Sequence, residues 1–504
     1  MLRQALFGVL MALYGVPAFC QSGADGDIAY SRSSLATITD SDTQLPDRAD
    51  ALLSAYFKSK RYSTAADSLT KAEALIQAKA DTLLSAYFKR NQFSGTALVA
   101  LHGKVILQKG YGWRNIEKKI PHDENSIYHA ASITKTFTAT LVMKLAEMQK
   151  LSLQDKLSRY YPGYPKGDSI TVAHLLSHTS GIFNYTNNGE FMQTRSTQPA
   201  TEAEILALFR DIPLDFPPGT GWNYSNSGYM LLGYIIQKVT GLSYEAAIRK
   251  YIFNPLQMQH SGFDFAHLQD AGKASGYHED STGAYTQPVS STDSTVSFAA
   301  GSIYTTAGDL FKWHQGLMRY AIVSPAGWQE ISTSRRNSYG YGWDIDSICG
   351  KYTVGHSGGM QGFRTNFIRI PADDICIVLL SNTETQALHT LTEKLIAVLY
   401  DMPYQLPATR TVIKLDTAAL KKYTGTYLLA EKDLRIHIVL EDGNLVAYPE
   451  RGPRSVLCAT SPSCFFLRED MDFETCFLTD ATGRGVKLTI DQHGRRGTAN
   501  RVEE

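Results

Sequence analysis

Apolar and polar positions follow different periods along different stretches of the chain. Near the N-terminus, Ala5 to Val16 is a run of twelve largely apolar residues, shorter than the roughly 18–20 that cross a bilayer. Residues 22–48 are polar and rich in Ser, Asp and Thr, which reads as a linker. A helical pattern then occurs twice. Ala49-Asp-Ala-Leu-Leu-Ser-Ala-Tyr-Phe-Lys58 recurs as Ala80-Asp-Thr-Leu-Leu-Ser-Ala-Tyr-Phe-Lys89, matching at nine of ten positions with an offset of 31. A solenoid needs about three repeats, so this is read as a local duplication of one amphipathic helix. Only the second copy leads directly into a strand pattern, and it is expected to pack on the domain that follows.

From about residue 80 to 402 the periods mix. Thr96-Ala-Leu-Val-Ala-Leu101 and Lys104-Val-Ile-Leu107 flank His102-Gly103 and predict a hairpin. Phe137, Leu141, Val142, Leu145 and Ala146 form a stripe at helical spacing after Ser132. Phe363–Ile370 and Ile375–Leu380 flank Pro371-Ala-Asp-Asp374 and predict a second hairpin, and 382–401 a final helix. Hairpins at both ends with helices between predict an α+β fold on one antiparallel sheet. Residues 403–412 carry two prolines and lead to a different texture. Over 413–504 short strand-like runs alternate with glycine turns: Gly425–Tyr427, Arg435–Leu440, Asn444–Ala447, Val456–Ala459, Phe473–Thr479 and Val486–Ile490. A small antiparallel barrel or sandwich is expected there.

Composition narrows the function class. With 504 residues, 43% hydrophobic and 19% charged, the chain is too apolar for a disordered protein and long enough for two or three domains. Lys+Arg and Asp+Glu are 49 each, so the basic excess of a general nucleic-acid binder is missing. Arg3, the apolar run, and Ala18 and Cys20 at the −3 and −1 positions before Gln21 match a secretory signal peptide. Export to a periplasm or the extracellular space is therefore expected, without an integral span once the signal is removed. Five cysteines would remain, too few and too scattered for a disulfide framework. Cys458 and Cys464 could pair across a short loop or stay as thiols. No Cys-x-x-Cys occurs, so a cysteine zinc site is not expected.

The chemistry-bearing pattern is Ser132-Ile-Thr-Lys135. On a helix, positions i and i+3 share a face, which sets the lysine beside the serine hydroxyl. A desolvated lysine is a base strong enough to activate that serine. Alone the motif is weak, and Ser68-Leu-Thr-Lys71 repeats it in the duplicated helical segment. Tyr224-Ser-Asn226 has a look-alike in Tyr185-Thr-Asn187, and His356-Ser-Gly358 has one in His260-Ser-Gly262. Context selects among them. Tyr224 follows Pro217-Pro-Gly219 and precedes an amphipathic helix, and His356 lies between two strand-like runs.

These motifs in order resemble the penicillin-binding and class C β-lactamase-related serine hydrolases, including D-amino-acid peptidases and esterases. The resemblance covers about 80–402 and rests on Ala131-Ser-Ile-Thr-Lys-Thr136, Ile170-Thr-Val-Ala-His-Leu-Leu-Ser-His-Thr-Ser-Gly181, Phe216-Pro-Pro-Gly219, Tyr224-Ser-Asn226, Ala300-Gly-Ser302, Tyr341-Gly-Trp343 and Gly355-His-Ser-Gly-Gly359. It implies a β-lactamase/penicillin-binding-type antiparallel sheet flanked by helices. Residues 413–504 are similar to the small lipocalin-like β-barrel of some members. The expected order is a signal peptide over 1–20, a linker and duplicated helix over 21–79, the hydrolase domain over 80–402 and the barrel over 413–504. By resemblance Ser132 is the nucleophile, Lys135 its base and Tyr224 the proton shuttle. Asn226 positions Lys135 and substrate. The backbone N–H groups of Ser132 and Gly359 form the oxyanion hole, beside the substrate-binding strand of His356, Ser357 and Gly358. No cofactor or metal is implied.

One position departs from the pattern. Many relatives carry Lys-Thr-Gly where this chain has His356-Ser357-Gly358. A histidine of ordinary pKa, about 6.5, offers a substrate carboxylate only a partial cation at neutral pH. This disfavours β-lactam hydrolysis and suits the esterase and D-aminopeptidase-like branches. The expected activity is hydrolysis of small peptides, amides or esters; the alternative is a silent cell-wall peptide or ligand binder with 413–504 as a cup. Gly355-His-Ser-Gly-Gly359 also fits the α/β-hydrolase elbow, with Asp373 or Asp374 and His389 following, but an elbow opens a helix and a strand follows here. His174 and His178 are four apart, yet Leu175 stands where a zinc peptidase carries glutamate, so both read as packing and hydrogen-bonding residues. Trp222, Tyr341 and Trp343 could line the cleft, and Asn184 and Tyr185 could reach it.

Overall fold

The computed structural model describes residues 70–279, 285–407, 412–449, 454–467, 470–492 and 495–502. The signal-peptide, linker and first-repeat readings, with Ser68, lie outside them. The second repeat copy lies in helix α1 (Lys71–Lys89), whose Ala80, Leu83, Leu84 and Tyr87 are buried.

Strands β1 (Gly95–Leu101) and β2 (Lys104–Tyr111) form the first hairpin. The chain then builds helices before returning to the sheet. They include α2 (Thr134–Glu147), α3 (Asn226–Thr240) and α4 (Ala307–Met318). Strands β3 (Asp344–Ile348), β4 (Lys351–Met360), β5 (Phe363–Ile370) and β6 (Ile375–Ser381) follow, then α5 (Leu388–Leu399). The six strands form one antiparallel sheet in the order β2-β1-β6-β5-β4-β3. Pairing of β1 with β6, from Gly95 opposite Ser381 to Ala100 opposite Cys376, joins the two ends of the domain. This is the α+β fold with a flanked antiparallel sheet.

The central strands are apolar at nearly every position because both faces are covered. Ala97, Val99, Ile377 and Leu379 pack with Leu83, Leu84, Leu391 and Leu395 of α1 and α5. Their neighbours Leu98, Ala100, Val378 and Leu380 face the large helical core on the other side. Helix α2 is buried almost all round rather than along one stripe. Its second face is made of threonines whose hydroxyls donate to backbone carbonyls of the preceding turn, Thr138 to Thr134 and Thr140 to Thr136. Polar side chains that satisfy themselves in this way let the helix run through the core, and they hide it from a count of apolar positions.

Residues from Gly425 onward form a closed barrel of eight strands: β7 (Gly425–Leu429), β8 (Leu434–Glu441), β9 (Asn444–Pro449), β10 (Ser455–Ala459), β11 (Cys464–Leu467), β12 (Asp470–Thr479), β13 (Gly485–Gln492) and β14 (Arg495–Val502). Tyr427 opposite Arg501 closes it. Strands β11 and β14 were not foreseen. Among the described residues of β14 only Ala499 joins the barrel core, so the hydrophobic signal of the strand is weak. The barrel interior is filled: Tyr423 stacks on Phe477 at 4.5 Å, and Phe465 and Tyr427 meet the same ring edge-on.

Of the two readings left open for the cysteines, Cys458 stays a thiol and does not bond Cys464. Cys464 bonds Cys476, its cross-strand partner on β12, with the Cα atoms 4.0 Å apart. Strand register sets this. Cys458 on β10 stands opposite Phe466, two positions along β11 from Cys464.

Candidate active site

Ser132 lies in a single 3₁₀ turn, Ala131–Ile133, that runs straight into α2. Ala131 before it has a φ of 51°, a left-handed conformation that a residue with a Cβ adopts at a cost. The turn is held from both sides. Ala130 N–H donates to the Ile303 carbonyl at 2.8 Å, and the Ala130 carbonyl accepts from the Thr365 hydroxyl of β5 at 2.9 Å. Strand β4 closes against the same turn. A Cβ on Gly358 would stand 2.5 Å from the Ala130 carbonyl oxygen and 2.2 Å from Thr365 Oγ1, so only glycine permits this approach.

Lys135 follows one turn later, wholly buried. Its Nζ lies 3.1 Å from Ser132 Oγ, 2.8 Å from Asn226 Oδ1 and 2.7 Å from the Ala300 carbonyl oxygen. Burial pushes the ammonium well below its ordinary pKa, opposed by the charge of Asp344. A neutral amine has two N–H donors and one lone pair. Two of its three partners only accept, and the third is a hydroxyl. In the neutral form the lone pair therefore faces the Ser132 hydroxyl, placed to take its proton.

Asn226 opens α3, and its orientation is fixed by the other half of its amide. Nδ2 donates to Asn184 Oδ1 at 3.3 Å and to Thr186 Oγ1 at 3.2 Å, leaving Oδ1 for Lys135. Asn184 Oδ1 also accepts the Asn226 N–H at 3.0 Å. Asn184 thus reaches the site, whereas Tyr185 turns away and donates to the Val296 carbonyl at 2.5 Å.

Tyr224 completes the cluster. Lys135 Nζ lies 4.9 Å from its ring centroid and 5.4 Å from that of Tyr229. Desolvation raises the phenol above its usual pKa range, and its hydrogen bond with Ser132 pulls the other way. The phenol stays protonated at neutral pH and is equipped to donate.

His356 is buried at 3% exposure. Its Nδ1–H donates to the Ser357 carbonyl at 2.6 Å, and Nε2 accepts from the Tyr339 hydroxyl at 2.9 Å. Desolvation and the Lys135 charge push the imidazole below its ordinary pKa against the pull of Asp344. The expectation of a partial cation facing a substrate carboxylate is corrected by this geometry. Both ring nitrogens are engaged inside the protein and the ring is neutral at neutral pH. Ser357, its neighbour on β4, is exposed, and Gly359, two positions further on, stands opposite Arg364.

The remaining candidates separate. Trp343 is 0% exposed and packs against Trp313, Trp328 and Phe367 in the core, so it does not line the cleft. Tyr341 is buried beneath Arg335, 4.0 Å from its ring. Trp222 sets its ring edge-on to His178 at 6.1 Å. The look-alike His260 donates its backbone N–H to Asp309, away from this cluster. The elbow reading has no geometry: Ser357 is in mid-strand, Asp373 accepts from Tyr400, and His389 faces Glu393. Sequence reasoning missed Tyr339, Asp344 and the Ala300 carbonyl. Tyr339 and Asp344 flank the Tyr341-Gly-Trp343 block, so the aromatic-glycine run was the signal available. The carbonyl has no signal in residue type at all.

Comparison with known proteins follows the geometry. The Beta-lactamase family model matches residues 74–400. The chain is 31% identical over 398 residues to Penicillin-binding protein 4* of Bacillus subtilis (strain 168), spanning 74% of this chain and 88% of that one. The octameric penicillin-binding protein homologue from Pyrococcus abyssi superposes with a TM-score of 0.60 at 25% identity, over 84% of this chain and 99% of its own. The D-amino acid amidase from Ochrobactrum anthropi SV3, solved with D-phenylalanine, superposes with a TM-score of 0.58 over 65% of this chain and 99% of its own; at 21% identity that likeness concerns the fold.

Proposed function

The chain belongs to the beta-lactamase family, and from that premise we propose that it is a serine hydrolase working through an acyl-enzyme. Lys135 takes the proton of the Ser132 hydroxyl as Oγ attacks the substrate carbonyl. The N–H groups of Ser132 and Gly359 receive the developing oxyanion; one such donor is worth about 10²–10³ in rate. Tyr224 donates its proton to the leaving amine or alcohol and is reprotonated from Lys135. The leaving group departs and Ser132 is left acylated. Water then attacks the acyl group as Lys135, relayed by the Tyr224 hydroxyl, takes its proton; that proton passes to Ser132 Oγ as the acyl–oxygen bond breaks, and the carboxylic acid product leaves. Asn226 holds Lys135 throughout.

The single observation that carries this is the fully buried Lys135 with two acceptors and one hydroxyl around Nζ. Small peptides, amides or esters are the proposed substrates. Peptides containing D-amino acids are favoured, in line with the D-stereospecific amidohydrolase from Streptomyces sp., a solved structure 25% identical to this chain, and with the neutral His356 in place of a cation. Export is part of the proposal, supported by the Cys464–Cys476 bridge, since disulfides persist in oxidising compartments.

The test is the mature chain and its Ser132→Ala variant, assayed on D-peptide amides, esters and β-lactams and treated with a fluorophosphonate. An adduct on Ser132 and turnover lost in the variant are expected. Turnover that survives the substitution on every substrate sinks the proposal. A folded wild type that neither turns over nor forms an adduct, yet binds cell-wall peptide, supports the silent-binder alternative.

A further inference from the structure

We propose that His178 is the positioning residue that sets Tyr224, and through it the proton path of the site. This rests on the Ser132–Lys135–Tyr224 reading. The sequence pairs His178 with His174 at helical spacing, but the structure separates them. His174 Nδ1 accepts the Thr171 N–H at 3.2 Å within the capping box of its short helix. His178 lies beyond the end of that helix with a left-handed φ of 60°, uncommon for a residue with a Cβ.

That conformation turns both its carbonyl and its ring to the segment carrying Tyr224. Asn223 N–H donates to the His178 carbonyl at 3.1 Å, and Ser225 N–H donates to His178 Nδ1 at 3.1 Å. The residues on either side of Tyr224 are thus tied to one histidine. The His178 ring lies 4.3 Å from the Tyr224 ring and 4.7 Å from that of Tyr339, the donor to His356. The lock matters because Ser225, the N-cap of α3, makes no side-chain cap bond of its own. The tether falls on its backbone N–H instead.

Nδ1 accepts, so the ring proton is on Nε2 and the imidazole is neutral. Nε2 has no hydrogen-bond partner among the described residues. His178 is 1% exposed and burial holds its pKa well below the ordinary value, so the acceptor persists at neutral pH. His178 itself touches neither Ser132 nor Lys135 through a hydrogen bond. It acts through Tyr224.

Two variants separate the hydrogen bond from packing. His178→Phe keeps a ring and removes the Nδ1 acceptor. His178→Asn keeps an acceptor near the Nδ1 position and removes the ring. With a chromogenic ester and the full chain, His178→Phe is expected to lower kcat about tenfold to a hundredfold at unchanged KM. His178→Asn should recover most of that loss, even with a lower melting temperature. In a Tyr224→Phe background, His178→Phe should cost little more, because both losses run through one phenol. The proposal is overturned if His178→Phe keeps wild-type kcat while His178→Asn loses it, or if the two losses multiply. Should His178→Phe not fold, His178→Asn decides alone: retained kcat upholds the tether, and a fall as deep as that of Tyr224→Phe overturns it. A wild type inert to the ester, or turnover surviving Ser132→Ala, overturns the underlying reading and this proposal with it. A Ser132-dependent wild type with either contrary His178 result overturns this proposal alone.

Discussion

Lys135 and Arg369 are both withdrawn from solvent, at 0% and 1% exposure, and the protein resolves the two buried cations in opposite ways. Around Lys135 every hydrogen-bond partner is neutral: a carbonyl, an amide oxygen and a hydroxyl. Around Arg369 the partners form a relay. Its Nε donates to His314 Nδ1 at 3.1 Å, and His314 Nε2 donates to Asp374 Oδ1 at 2.9 Å. Its guanidinium carbon lies 4.9 Å from the Trp328 ring and 5.8 Å from that of Trp343. Burial lowers both groups, Lys135 well below its ordinary range and Arg369 only to about 10. The amine can give up its proton and become a base. The guanidinium keeps its charge, and the fold gives it a neutral acceptor and two ring faces. On the proposed mechanism one buried cation is chemistry; the other fastens the β5–β6 hairpin to α4.

The largest expected effect breaks the first half of that contrast. Lys135→Met should reduce kcat/KM by about 10³-fold or more, since a general base is worth about 10²–10⁴, while the melting temperature holds or rises as a desolvated amine is removed. Lys135→Arg should be as inactive, because a guanidinium does not deprotonate near neutral pH. Turnover and thermal melts of both variants check this, and an active Lys135→Arg would break the base assignment. Next in size, Arg369→Met should leave turnover of the folded enzyme intact and lower the unfolding free energy by about 3 kcal/mol, the scale for removing one partner of a buried charged set. Urea unfolding beside an activity assay reads it. Lost activity at unchanged stability would erase the distinction between the two cations.

How far the sequence foretold the two sites follows from what kind of contact each uses. Lys135 was legible because a helix turn alone brings position i+3 to Ser132, and Tyr224 and Asn226 were legible as a short ordered motif. The sheet was legible where strands are apolar at nearly every position, as in Ile375–Ser381. The relay was not. Arg369, His314 and Asp374 belong to a strand, a helix and a turn, and no spacing joins them. The same holds for the acceptor role of the Ala300 carbonyl, which any residue type supplies. His356 was read as a third-motif residue from its neighbours, but its neutral state depends on Tyr339 and on burial, which only the folded chain reveals. The disulfide partner of Cys464 likewise follows from barrel register, not from the shorter gap to Cys458.

The smallest effect sharpens the contrast through pH. His314 accepts from Arg369 at Nδ1, so it is neutral in the fold, and burial holds its pKa at about 4 against an ordinary 6.5. Its depressed folded pKa fixes the sign. Between those values the unfolded chain binds the proton and the native protein does not, so this contribution is complete above the unfolded pKa. It is lost progressively as pH falls from 6.5 towards 4, up to a ceiling of about 3 kcal/mol. His122 and His129 shift in the same direction, to about 3 and about 4, so wild-type acid sensitivity is shared. A His314→Asn variant isolates one share: its side-chain oxygen still accepts from Arg369 and cannot be protonated. Its stability should decline less steeply over that interval in urea titrations at successive pH values. The activity limb obeys a different group. In the proposed mechanism Lys135 works as the free base, so kcat/KM should rise with pH through the lowered Lys135 pKa and fall as acid protonates it. His314→Asn should flatten the stability limb and leave the activity limb where it stands. If both limbs move together, the two buried cations are coupled and the contrast between base and fastening fails.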